Sequence, residues 1–258
     1  MANAKDSGEA WGADALVWAD CQEPFSLPLW EAMLDNTNVG RGTRLLDAGC
    51  GAGGACRMAL GRGASVFGLD AAERSIALAK DRLPAADFRV GDLEALPYDD
   101  ASFDAVIAVN SVQFANSPIN VIGELTRVCN KAGTISVAVF GPEGNEENLV
   151  FEEINKVLPR VDAAPGEFNL SAPGKLEEMM TASGLRVVST HEIGTPFIYH
   201  NVDAAWRAQQ SAGSIRDAIK AASEEEVRAA AIRGFKKFLK KSGEVRIEVP
   251  MRYVTAVR

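Results

Sequence analysis

Residues 44–54 have the sequence RLLDAGCGAGG, a short apolar run that ends in an acid and leads into four glycines among small residues. The apolar run predicts a buried strand, and the small and apolar residues at helical spacing after it predict a helix over 53–60. Glycines between the two let the chain turn sharply and let a ligand approach the backbone without a Cβ in the way. The stretch therefore predicts a strand, a tight turn and a helix, with a ligand site at the turn.

Strands and helices continue to alternate up to residue 140. Further strands are predicted at 65–69, 88–90, 103–109 and 134–140. The run at 103–109 is almost entirely apolar, as in a strand that helices cover on both faces. This alternation predicts an α/β fold with a Rossmann-like, doubly wound and mostly parallel sheet.

The regular alternation stops after residue 140. We expect a helical N-terminal cap segment over 1–40 and a main domain over 41–258, with helical cap insertions at about 141–173 and 196–242. Within the second insertion, Ser223 and Glu226 form a capping box, and Gly243 is expected to end that helix. Ser117 is expected to cap the helix that Pro118 opens.

The C-terminal residues 244–257 alternate apolar and polar side chains, which is typical of an antiparallel strand. Pro250 interrupts the alternation, and proline cannot donate a hydrogen bond within a central strand. The last strand of the sheet is therefore expected to begin at Met251, with 245–249 in the cap. A further strand is expected at 185–193.

The composition excludes several classes of protein. The chain has 258 residues with 35 acidic and 27 basic side chains, giving a net charge of −8. Nucleic-acid binding requires a basic surface, so no nucleic-acid partner is expected. No apolar run approaches the roughly 18 residues of a membrane span, and residues 1–12 lack the basic and apolar parts of a secretion signal. The four cysteines have no metal-ligand spacing. We expect a cytoplasmic protein without a metal; the sequence leaves its oligomeric state open.

The glycine spacing alone fits two kinds of ligand. Gly49, Gly51 and Gly54 match the dinucleotide pattern GxGxxG, and Asp70 ends the second strand 21 residues after Gly49, where the ribose of NAD would be held. An NAD(P)-dependent oxidoreductase is therefore one hypothesis. Asp47, however, lies two residues before the first glycine. A carboxylate there suits a ligand with ammonium and sulfonium groups and would repel a pyrophosphate.

Further polar residues follow the third and fourth strands. Asp92 and Leu93 come directly after 88–90, and Asn110 comes directly after 103–109. The carboxyl ends of the strands in an open α/β sheet are where such folds bind ligands. The carboxylate of Asp92 can accept a hydrogen bond from an exocyclic amine, and Leu93 can pack on a purine face.

Four phrases carry a family resemblance: LLDAGCGAGG, VFGLD, VGDLEALPYDDASFDAVIAVNSVQF and ELTRVCNKAGTISVAVF. Over residues 44–140 the chain resembles class I S-adenosylmethionine-dependent methyltransferases, within them the ubiquinone/menaquinone-biosynthesis-like and small-molecule group. The resemblance implies the sheet order 3-2-1-4-5-7-6 with strand 7 antiparallel. It also implies transfer of a methyl group from S-adenosylmethionine to a small-molecule acceptor, giving S-adenosylhomocysteine. A non-catalytic S-adenosylmethionine-binding protein stays a further hypothesis, because a fold does not fix a function.

The resemblance also implies which residues bind the cofactor. The expected cofactor-binding residues are Asp47, Gly49, Gly51, Gly53, Asp70, Ala71, Asp92, Leu93 and Asn110. The turn with Asp47 would surround the methionine part, Asp70 would hold the ribose, and Asp92 would meet the adenine amino group. Asn110 would lie near the methionyl amino group or the transferred methyl.

The acceptor chamber is expected between the N-terminal segment and the cap insertions. Its candidate lining residues are Trp11, Trp18, Gln22, Gln113, Phe114, Phe168, Phe197, Tyr199, His200 and Trp206. His200 is the candidate general base, since the pKa of histidine lies near 6.5. A base is needed only if the acceptor is weakly acidic.

Overall fold

The computed structural model describes residues 4–141, 145–159 and 170–258. Its strands are β1 (Arg44–Ala48), β2 (Ser65–Asp70), β3 (Asp87–Val90), β4 (Phe103–Val109), β5 (Cys129–Phe140), β6 (Arg186–Gly194), β7 (Phe197–Tyr199), β8 (Val245–Ile247) and β9 (Pro250–Val257). Seven of them form one sheet in the order β3-β2-β1-β4-β5-β9-β6, and β7 pairs with β8 in a separate two-stranded sheet.

The helices cover the sheet and form the cap. They are α1 (Ala4–Gly12), α2 (Ala15–Cys21), α3 (Leu27–Asn36), α4 (Gly54–Gly61), α5 (Glu73–Arg82), α6 (Pro118–Val128), α7 (Glu146–Asn155), α8 (Lys175–Ala182), α9 (Val202–Gln209), α10 (Gly213–Ala221) and α11 (Glu224–Lys236). Short 3₁₀ turns lie at Glu23–Ser26 and Val112–Phe114. Within the described parts of the chain, no helix is long and apolar enough to cross a membrane.

The strand order confirms the expected fold class. Strands β1 to β5 pair in parallel, and β9 lies antiparallel between β5 and β6. Strand β9 is therefore the antiparallel strand that the resemblance implied as the seventh. Because β1 to β5 run the same way, their carboxyl ends meet at one edge of the sheet.

The sheet separates two hydrophobic cores. Leu45 packs with α3, α4 and α5 on one face, whereas the adjacent Leu46 packs with α6 and α8 on the other. Successive side chains of a strand point to opposite faces. Both leucines are fully buried, because helices cover both faces of the sheet. The nearly continuous apolar sequences of β1 and β4 follow from this two-sided cover.

The C-terminal region divides as Pro250 indicated. Strand β9 begins at Pro250, whose carbonyl accepts a hydrogen bond from the Gly141 N–H at 2.7 Å. Residues 245–247 belong to the cap, where β8 pairs with β7. The insertion expected to be helical over 196–242 also contains a strand, because its first residues form β7. Phe197 and Tyr199 are buried there while Ile198 between them is exposed, which is the alternation of a strand.

Of three expected features at helix ends, the structure confirms one and differs at two. Ser223 caps α11 as predicted, since its Oγ accepts the Glu226 N–H at 3.2 Å. Helix α11 ends at Lys236 instead of Gly243, because Leu239 already bridges to Val245 at the start of a hairpin. The side chain of Ser117 makes no capping bond to α6.

Candidate functional site

The turn between β1 and α4 requires glycine for two different reasons. Gly49, Gly51 and Gly53 have φ angles of +87°, +51° and +83°, which side chains other than glycine rarely adopt. A Cβ added to Gly49 would also lie 2.3 Å from the Cβ of Ser111. A Cβ added to Gly51 would meet no atom within 4 Å. The turn is therefore open toward a ligand at Gly51 and closely packed at Gly49.

Asp70 fixes this turn to the end of β2. Its carboxylate accepts one hydrogen bond from the Gly51 N–H and one from the Ala72 N–H, both at 2.8 Å. Burial raises the pKa of Asp70, and these backbone hydrogen bonds act in the opposite direction. A carboxylate has about four lone-pair sites, so Asp70 keeps acceptor capacity for a ligand hydroxyl.

Asp47 is a buried acid under the same turn. Only 2% of the residue is exposed, and burial raises its pKa to about 7. The Cys56 thiol donates a hydrogen bond to Asp47 Oδ2 at 3.3 Å, while the negative charges of Asp70 and Glu23 raise the pKa further. A positively charged ligand would favour the ionised form of Asp47.

A cavity of about 190 Å³ lies above the carboxyl edge of the sheet, beneath α1 and α2. The expected cofactor-binding residues that line it are Asp47, Gly49, Gly51, Asp70, Ala71, Asp92, Leu93 and Asn110. Gly53 does not line it. A Cβ on Gly53 would point at Leu83 and Phe88, so this glycine serves as the left-handed residue before α4.

Three of the expected acceptor-lining residues reach the cavity: Trp11, Trp18 and Phe114. The ring of Trp11 packs edge-on against the ring of Trp18, with 5.2 Å between the ring centroids. The centroid of the Phe114 ring lies 5.0 Å from that of Trp11. With Phe140 at the end of β5, they form what we term the aromatic wall (Trp11, Trp18, Phe114 and Phe140). Phe168 lies outside the described residues.

Contrary to the expectation, the remaining candidate lining residues pack outside this cavity. Tyr199 is buried, and its hydroxyl donates to Gln22 Oε1 at 3.2 Å and accepts from Gln209 Nε2 at 3.4 Å. Phe197 and Trp206 are buried in the core around the cap. These residues face inward because β7 and α9 direct their apolar sides toward the cap interior.

Gln113 and His200 also lie away from the cavity. Gln113 Nε2 donates to Asn110 Oδ1 at 3.4 Å, and of these two residues only Asn110 lines the cavity. His200 is exposed immediately after β7. The strand buries Phe197 and Tyr199, so the next position in the alternation faces solvent. The structure therefore does not bring His200 to the candidate site.

Glu23 is a site residue that the sequence analysis missed. It lines the cavity, 7% exposed, and its Oε2 accepts a hydrogen bond from Arg82 Nη1 at 3.0 Å. Its carboxylate also accepts from the Gly54 N–H at the start of α4. Burial raises the pKa of Glu23, and Arg82 opposes that rise. No local motif marks Glu23, because its partners are distant in the sequence.

Trp30 is a second residue that the sequence analysis missed. Its ring covers Gly54, where an added Cβ would lie 2.2 Å from the ring. Trp30 also lines the cavity. Only glycine at position 54 leaves room for the Trp30 ring.

Comparison with known proteins finds similarity to methyltransferases. Residues 46–137 match the family described as "Methyltransferase domain". A malonyl-[acyl-carrier protein] O-methyltransferase of Erwinia pyrifoliae is 30% identical over 56% of this chain and 58% of its own. A demethylmenaquinone methyltransferase of Renibacterium salmoninarum is 30% identical over 50% of this chain and 55% of its own. The chain thus spans about half the length of the curated relatives it matches.

A solved structure extends the likeness of the fold to most of the chain. The [4+2]-cyclase SpnF superposes with a TM-score of 0.60 at 21% identity, covering 90% of this chain and 80% of that one. This similarity shows the fold alone. The sequence matches confirm the resemblance to methyltransferases, including the menaquinone-type group.

Proposed function

We propose that the chain transfers a methyl group from S-adenosylmethionine to a small-molecule acceptor, giving S-adenosylhomocysteine, because its residues 46–137 match a family of methyltransferase domains. The observation that carries this proposal is Asp47. It is a buried carboxylate beside an open glycine turn, and the charged groups that act on it are the acids Asp70 and Glu23. A sulfonium bound beside Asp47 would favour its ionised form and offset its charge.

The residues that line the cavity fit this cofactor. Gly51 leaves room at the turn, and Asp70 retains acceptor capacity toward ribose hydroxyls. Asp92 is exposed beside Leu93, where an adenine amino group and ring face would be met. When bound, S-adenosylmethionine supplies a methyl group activated by the positive sulfur. The protein's part is to hold the two reactants in line and exclude water.

Glu23 argues against the dinucleotide hypothesis. In a dinucleotide site the pyrophosphate takes the free N–H groups at the start of the first helix. Here the carboxylate of Glu23 accepts the Gly54 N–H at that helix start. The third glycine of the GxGxxG match is covered by Trp30. A pyrophosphate would have to displace an acid and an indole ring.

A non-catalytic role is the second candidate. A protein named as a cyclase has a similar fold, so the fold alone does not require methyl transfer. This observation favours retaining the non-catalytic role as a hypothesis. Transfer of a labelled methyl group into a small-molecule extract separates a methyltransferase from a protein that only binds the cofactor.

Thermal unfolding with S-adenosylmethionine, S-adenosylhomocysteine and NAD tests the cofactor. A ligand at 100 times its Kd should stabilise the protein by about 2.7 kcal/mol. We expect this shift with the first two ligands and none with NAD. Asp92→Asn should reduce the shift, whereas the exposed Asp99→Asn should keep it. Stabilisation by NAD alone would overturn the proposal.

A further inference from the structure

The cavity has two chemically different halves. The acids Asp47, Asp70 and Asp92 lie at or after the ends of β1, β2 and β3. The other half holds Phe114, which follows β4, and Phe140, which ends β5, and the Trp11 ring extends the aromatic wall from Phe114. Strand β1 lies between β2 and β4 in the sheet. The half above β4 and β5 is therefore left for the acceptor when the cofactor occupies the acidic half.

The charged side chains that line the cavity have a single sign. Among the described residues they are Glu23, Asp47, Asp70 and Asp92, without a lysine, arginine or histidine. A phenolate, a carboxylate or a phosphate-bearing acceptor would be removed from water beside like charges. Such surroundings raise the pKa of a phenol or carboxylic acid and so suppress its reactive anion.

We propose that the acceptor is an amine carried on an aromatic or apolar body and bound as its ammonium ion; this proposal rests on the methyl transfer proposed above. The same negative surroundings that suppress a phenolate favour the cation of an amine. The bound ammonium gives one proton to water before its nitrogen reacts. The nitrogen lone pair forms a bond to the methyl carbon, and the carbon–sulfur bond breaks. Its electron pair stays on sulfur, which becomes the neutral thioether, and the positive charge passes to nitrogen. The new ammonium then loses its proton to water. At no point does this reaction place a new negative charge in the cavity.

The aromatic wall suits both the body and the developing charge of such an acceptor. Trp11, Trp18 and Phe114 are in ring contact with one another through Trp11. Indole and phenyl faces attract a cation and pack against apolar groups. Phe114 lines the cavity and is 40% exposed, and an amine with an apolar body would cover it.

The identity of the methylated product tests this inference. The purified full chain is incubated with S-adenosylmethionine carrying a trideuteromethyl group and with a small-molecule extract of the cells that naturally produce the protein. Mass spectrometry identifies products with the trideuteromethyl group, and fragmentation assigns the methylated atom. Calorimetry with S-adenosylhomocysteine is run on the same preparation.

We expect the label in an N-methylated amine with an aromatic or apolar body. Label in a methyl ether, a methyl ester or a C-methyl product would overturn the inference and leave the proposed methyl transfer intact. Cofactor binding without any labelled small molecule would overturn the methyl transfer itself, and this inference with it.

A binding measurement separates the aromatic wall from catalysis. The amine identified above is titrated into the protein saturated with S-adenosylhomocysteine. Trp18→Leu should weaken binding of the amine by about tenfold through the lost cation–π contact and leave the affinity for S-adenosylhomocysteine within about twofold. The matched control is Leu16→Ala, which changes a 60% exposed side chain on the same helix and should leave both affinities unchanged. Equal amine affinity in Trp18→Leu and the wild type would contradict the assignment.

Discussion

Replacing Asp47 with asparagine removes the buried charge beneath the glycine turn and keeps the shape of the side chain. The amide oxygen can still accept the hydrogen bond that the Cys56 thiol donates at 3.3 Å. Burial raises the pKa of Asp47 from 3.8 to about 7 in the folded protein. At about 1.36 kcal/mol per pKa unit, keeping Asp47 ionised costs the ligand-free fold about 4 kcal/mol well above pH 7.

The raised pKa fixes the sign of the pH dependence. The folded protein holds the Asp47 proton more tightly than the unfolded chain does, so the contribution of this proton to stability is fully present below pH 3.8. That contribution is lost as the pH rises through about 7. Asp47→Asn has no such proton, so the variant should gain stability relative to the wild type as the pH increases.

Urea unfolding of the ligand-free protein at pH 5, 6, 7 and 8 measures this difference. Between pH 5 and pH 8 the variant should gain about 3 kcal/mol of unfolding free energy relative to the wild type. The exposed Asp99→Asn serves as the control and should run parallel to the wild type. Parallel profiles for Asp47→Asn and the wild type would refute the assignment of a buried acid with a raised pKa.

Three further predictions concern the same region. Glu23→Gln weakens the contacts to Arg82 and to the start of α4, so urea unfolding should show a loss of about 1–3 kcal/mol of unfolding free energy. An unchanged midpoint would contradict a stabilising role for these contacts. Gly51→Ala should lower the unfolding free energy by about 1–2 kcal/mol, because alanine disfavours the left-handed backbone at this position. Gly49→Ala should lower it further, because the added Cβ also meets Ser111. Equal losses in the two alanine variants would argue against the packing at Gly49. His200→Ala should keep kcat and KM, because the side chain is exposed outside the cavity; a tenfold fall in kcat would place it in the site.

Local patterns were sufficient to predict the strands and the mostly parallel sheet, whereas the strand order came from the family resemblance. The apolar run and glycines of 44–54 define β1, the turn and the start of α4 within about one residue. Pro250 correctly separated β8 from β9, because the missing N–H of proline limits where a strand can pair. The carboxyl ends of parallel strands then brought eight of the nine expected cofactor-binding residues to one cavity.

The cap was predicted less well, because its contacts are long-range. Glu23 meets Arg82 across 59 positions of the chain, and no local spacing marks that pair. Tyr199 and Gln22 are 177 positions apart, so the sequence could not show that they bond to each other instead of facing the acceptor. Aromatic residues fit a core and a ligand chamber equally well by composition, and tertiary packing decides between them.

The central claim is that a buried carboxylate in the glycine turn binds a positively charged cofactor. Calorimetry of S-adenosylmethionine and S-adenosylhomocysteine at pH 6 and pH 8 tests it, since the two ligands share every group except the charged sulfonium and its methyl. Ionisation of Asp47 near pH 7 should raise the ratio of their affinities by about tenfold over this interval in the wild type and leave it constant in Asp47→Asn. A ratio that is independent of pH in the wild type, or no heat with either ligand, would contradict the account.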